Sequence, residues 1–177
     1  MTDIFNKFDK RDFGRPGRSN TLSSNAMLAS SHPIASSIGI EILKSGGNAV
    51  DAAIAMNAVL CIAEPHMTGV GGDCFVMLSV DGSTNIKALN GSGKSSSNAR
   101  ASALRKNKLS VITPEMPDAI TIPGAVAAWS LLHKEHGFMT WKELFSPAIN
   151  FANQGIKIHE RVALDWSKNI QKLSLDP

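Results

Sequence analysis

The sequence predicts an α/β (α+β) domain, and three observations carry that prediction. Residues 49–61 are apolar on nearly every side, AVDAAIAMNAVLC, which marks a helix buried in a core. Residues 75–80 and 85–89 are two short apolar runs joined by Asp81-Gly82-Ser83-Thr84, a tight hairpin connection. Thr140, with Glu143 three residues on and apolar residues at Leu144, Ala148 and Phe151, has the pattern of a capped amphipathic helix. The chain has 177 residues, 43% hydrophobic and 19% charged, an ordinary balance for one domain with a sizeable core.

Taken in order, residues 1–24 are polar and read as a mobile or wrapping N-terminal arm, and residues 25–177 read as the domain, the N-terminal portion of a larger one. Residues 26–29 read as a short buried strand that stops at Ser30-Ser31-His32-Pro33. Pro33 suits a helix start, and Ile34, Ile38, Ile42 and Leu43 fall on one helical face. Gly46-Gly47 end that helix. Asn48 caps the next, with Asp51 at its positive end, and Pro65 closes it. Gly69, Gly71 and Gly72 then permit backbone angles closed to other residues. After the hairpin, Arg100, Arg105, Lys106 and Lys108 mark a solvated helix face. Residues 113–124 are a proline-rich loop with a short strand at 119–122. Three helices follow, at 125–136, from Thr140 to Gly155, and at 159–173.

Composition excludes several function classes. The net charge of +3 is mild, and the basic residues lack groove-reading or aromatic partners, so no nucleic-acid partner is expected. Residues 1–20 contain no apolar signal region and no run of 18 apolar residues exists. A cytoplasmic protein without a membrane partner is therefore expected. Cys61 and Cys74 sit in apolar surroundings and read as buried reduced thiols. His133 and His136 share a helix face without a third ligand in view, so no metal site and no cofactor is expected.

The motif that invites a nucleotide reading is Gly93-Lys94-Ser95, the tail of a phosphate loop. Its first glycine position falls on Ala88, inside a strand, and the residues after it are too polar for a buried crossover helix. Nucleotide binding is excluded on those grounds. Asn90, Ser92, Gly93 and Lys94 instead read as a plain glycine turn closing the strand or, with an amide, a hydroxyl, flexible backbone donors and a cation at a hairpin end, as a loop for a carboxylate or oxyanion.

Read together, HPIAS, GGNAVDAA, the EPHMTGVGG stretch and PGAVAAW stand in the order that resembles the gamma-glutamyltranspeptidase family, from about Ala26 to the C-terminus. The resemblance implies an N-terminal-nucleophile hydrolase, with two sheets between helix layers in an αββα sandwich. It implies a self-cleaving precursor whose small subunit begins with the nucleophilic threonine, acting with its own α-amino group as base. The acyl group of a small-molecule donor then passes to water or an amine acceptor. The resemblance covers only the N-terminal part of the large subunit. No threonine here matches the nucleophile motif, so the fold is expected to be incomplete, with no catalytic residue in this chain and a small-subunit partner supplied from elsewhere. The family's substrate clamp, of the form D-[FG]-R-E-x-A-P, aligns with Asn90-Gly91-Ser92-Gly93-Lys94-Ser95-Ser96. Ser92 stands at the arginine position, and serine cannot make a two-pronged ion pair with a carboxylate. The expected acyl-binding residues are Asn90, Ser92, Gly93 and Lys94. A non-catalytic module with the same partial fold is the alternative. Without further strands the hairpin should leave an open edge and a bare apolar face, which makes the chain prone to aggregate.

Overall fold

The computed structural model describes residues 19–114 and 116–173, with the side chains of residues 172 and 173 excepted. Among these residues the order is helix α1 (Pro33–Lys44), α2 (Ala49–Ala63), strand β1 (Cys74–Leu78), β2 (Lys87–Gly91), α3 (Ala101–Lys106), a 3₁₀ turn (Pro117–Ala119), α4 (Ala125–His136), α5 (Trp141–Gln154) and α6 (Glu160–Leu173).

Helix α2 is the centre of the core. Ala52, Ala55 and Val59 are completely buried, and Ile54, Ala58 and Ala63 nearly so. Its small side chains let α1, α4 and α5 pack on different sides of it. Burial all round is why its polar ends need internal partners. The Asn48 side chain accepts the Val50 and Asp51 amides, and Asp51 accepts the Asn48 amide, closing a capping box. Asp51 is wholly buried and also accepts the Phe138 amide (3.1 Å) and the Met139 amide (3.4 Å), while Asn48 Nδ2 donates to the His136 carbonyl. The GGNAVDAA segment is thus a structural clasp between the α1–α2 turn and the α4–α5 turn. Thr140 and Glu143 form the second capping box, as the sequence predicts.

β1 and β2 pair antiparallel with Val76 opposite Leu89. Asp81 and Gly82, at φ 53° and 69°, make the turn, and the Ser83 amide donates to the Val80 carbonyl at 2.9 Å. One face of β1 (Cys74, Val76, Leu78) packs on the helical core, with α4 against both strands. On the other face Phe75 and Met77 are 69% and 79% exposed.

Three expectations need correction. Residues 26–29 form no strand: Met27 is 58% exposed and only Leu28 reaches the core, because an isolated extended segment has no ladder partner to hold it. Residues 119–122 form no strand either: Ala119 closes the 3₁₀ turn, whose bonds reach the Ile120 amide, and the extended residues after it make one backbone bond to another segment, Ile122 N–H to the Lys94 carbonyl at 2.9 Å. The second hairpin strand runs two residues later than predicted, ending at Gly91. Arg105 and Lys106 lie in the last turn of an exposed helix, α3, and Arg100 and Lys108 flank it. Of the polar arm, residues 1–18 lie outside the described residues, and 19–24 are exposed. No helix among the described residues is long and apolar enough to cross a membrane.

Candidate acyl-donor loop

β2 runs directly into the loop 90–94, and three segments meet there: the glycine turn before β1, this loop, and the stretch entering α4. Asn90 Oδ1 accepts the Ser92 amide at 2.9 Å, an Asx-type contact at the end of the strand. The Gly93 amide donates to Asp73 Oδ1 at 2.7 Å, and Thr121 Oγ1 donates to the same oxygen at 3.2 Å. The Gly72 carbonyl accepts the Gly124 and Ala125 amides at 3.0 and 2.9 Å. The backbones approach so closely that a Cβ on Gly93 would collide with the Ile122 carbonyl, and one on Gly124 with the Gly91 carbonyl.

Asn90 therefore stands in the last two residues of β2, and Ser92, Gly93 and Lys94 lie in the loop that follows it. Its backbone is tied from two sides while Asn90, Ser92 and Lys94 stay exposed. The loop leads away from a hairpin, and the next helix, α3, begins only at Ala101, so the strand-to-helix geometry of a phosphate loop is missing here. Two residues of the junction escaped the sequence reading. Asp73 was legible only as a neighbour of Cys74, and Thr121 only as part of a proline-rich loop. Of the glycines at 69, 71 and 72, Gly72 takes part in the junction through its carbonyl, and the closest backbone approaches fall on Gly93 and Gly124. Gly69 and Gly71 have open space around them, and none of Gly69, Gly71 and Gly72 takes a positive φ.

The other candidates reduce to structure. Burial pushes the Cys61 and Cys74 thiols up, opposite to activation. His133 bonds the Met139 carbonyl through Nε2 at 2.6 Å and lies against the Trp141 ring, while His136 faces Glu135 at 3.7 Å. No group of three or more His, Cys, Asp or Glu side chains suited to a metal ion occurs among the described residues.

Residues 35–177 match the family model for gamma-glutamyltranspeptidase. The chain belongs to the gamma-glutamyltranspeptidase family. It is 35% identical over 158 residues to the glutathione hydrolase-like YwrD proenzyme of Bacillus subtilis, covering 89% of this chain and 30% of that relative. The structure resembles the gamma-glutamyltranspeptidase of Helicobacter pylori, with a TM-score of 0.75 at 28% identity over 85% of this chain and 44% of that one. It also resembles the cephalosporin acylase of Bacillus halodurans, with a TM-score of 0.77 at 29% identity over 92% of this chain and 32% of that one. The helices and small antiparallel sheet are therefore part of the N-terminal-nucleophile hydrolase fold, and the chain spans about a third of the length of the curated relative.

Proposed function

We propose that this chain contributes the acyl-donor loop of a gamma-glutamyltranspeptidase-like acyltransferase or amide hydrolase. Its donors are gamma-glutamyl or related acyl amides, and its acceptors are water or an amine. The nucleophilic threonine and the small subunit come from polypeptide outside these 177 residues. The threonine hydroxyl attacks the acyl carbonyl, its proton passes to the threonine α-amino group, the donor's amine leaves, and the resulting ester is opened by water or by the acceptor amine.

One observation carries the assignment of the loop: residues 90–94 hold a fixed backbone while presenting Ser92 and Lys94 to solvent. A fixed frame with exposed polar ends is what positions a small polar acyl group. Ser92 gives this loop a hydroxyl where the family pattern has arginine. Lys94 supplies a single-point cation in place of a fork. That exchange favours acyl groups that rely less on an α-carboxylate than glutathione does. A similarity to both a glutathione hydrolase-like protein and a cephalosporin acylase accords with a broadened donor range.

The test is steady-state hydrolysis of a chromogenic gamma-glutamyl anilide by the full-length gene product. Lys94→Ala should raise KM about threefold to tenfold with little change in kcat, the size of one partly screened ionic contact. An unchanged KM removes Lys94 from the site.

A further inference from the structure

Asp73 has no part in the reading above, yet its carboxylate is the polar centre of the junction. A single oxygen, Oδ1, accepts from Gly93 of the loop and from Thr121 of the segment entering α4. These partners lie 20 and 48 residues away along the chain. Ionised acceptors make shorter and stronger hydrogen bonds than neutral ones, and the 2.7 Å bond to Gly93 fits that class. The main chain seals the same junction on either side, through Ile122 to Lys94 and through Gly124 and Ala125 to Gly72. The Gly93 N–H belongs to the peptide plane that joins Ser92 to Gly93, so Asp73 fixes the backbone on the Ser92 side of this glycine, while the bond from Ile122 to the Lys94 carbonyl holds it on the other side.

We infer that Asp73 is a positioning residue for the acyl donor, acting through the Gly93 amide and Thr121 without touching the donor itself. This rests on the acyl-loop reading above. Its requirement is for two accepted hydrogen bonds, which an asparagine at position 73 would also provide. A direct role, by contrast, would depend on the negative charge.

The experiment has two readouts on the same variants. Amide hydrogen exchange of Gly93 is followed in the full-length gene product. KM and kcat for a gamma-glutamyl anilide are followed in the full-length gene product. Asp73→Ala should speed Gly93 exchange about tenfold and raise KM by about the same factor, with kcat changed far less, as expected for losing one charge-assisted bond. Asp73→Asn keeps both accepted bonds without the charge and should restore about half of each effect on a logarithmic scale, and Thr121→Val should give a smaller rise in KM. Asparagine behaving like alanine overturns the inference, and so does a Gly93 amide whose exchange ignores position 73. If Lys94→Ala raises KM while Asp73→Ala does not, positioning by Asp73 fails and the acyl loop stands. If neither variant moves KM, the acyl-loop reading itself fails, and Gly93 exchange still reports whether the clasp exists.

Discussion

The helical layer and the sheet of this chain solve the same problem in opposite ways. Around α2, the buried carboxylates find their partners within the layer: Asp51 holds the Phe138 and Met139 amides besides the Asn48 amide of its capping box, and Glu64 accepts Ser31 Oγ at 2.5 Å. The two-stranded sheet buries one face against these helices and leaves Phe75 and Met77 bare on the other. A two-stranded ribbon is marginal in water unless something packs on it. The difference teaches that the helices are the self-sufficient part, and that the sheet serves as a platform carrying the loop 90–94 outward.

The largest expected effect lies at the clasp. Asp51→Ala strands several buried amides together and should cost about 3 kcal/mol or more, enough to abolish a cooperative melt in a marginal domain. Leu144→Ala, at a fully buried position on α5, should cost about 3 kcal/mol and lower the melting temperature without removing the transition. Either variant melting like the parent would break the claim that the helices carry the stability. Gly93→Ala acts on the other region. Its Cβ has no room beside Ile122, so the loop must shift, and binding of the acyl donor should suffer more than stability, as titration beside a thermal melt would reveal. Phe75→Lys with Met77→Lys should leave the melting temperature nearly unchanged and reduce self-association in sedimentation, since both side chains are exposed and apolar.

The smallest effect is a pH dependence. Burial pushes the His32 imidazole below its usual range, His159 pushes it the same way, and Glu64 opposes them. The unfolded chain therefore binds the proton more readily than the folded one. Stability from this group is complete above a pH of about 6.5 and declines as the pH falls below it. His32→Asn keeps an acceptor for the Ile34 amide and should flatten that decline in melts taken between neutral and mildly acid pH.

Much of the helical layer was legible because its signals are local. Asn48 and Asp51, Thr140 and Glu143, and Pro33 announce helix starts through contacts a few residues long, and the sequence displays them directly. The sheet was harder to read. Its strands are short, and which residues pair depends on where Asp81-Gly82 turns, so β2 came out two residues late. Residues 26–29 have strand composition, but pairing decides a strand and composition cannot show it. In the candidate site, the residues of the loop itself were visible as a glycine-serine-lysine run. Asp73 and Thr121 were not, because their contacts with Gly93 and with each other span tens of residues and leave no local pattern. The tight contacts of Gly93 with Ile122 and of Gly124 with Gly91 are equally non-local and leave no pattern in the sequence.

The loop 90–94 as the seat of the acyl donor is tested most directly by Ser92→Arg in the full-length gene product. Two anilide donors are compared, gamma-glutamyl and 4-aminobutyryl, which differ in the carboxylate at the α position. If the loop receives the donor, the new guanidinium should lower KM about tenfold for the carboxylate-bearing donor and leave the other unchanged. Equal responses from the two donors, or no response from either, would contradict the account.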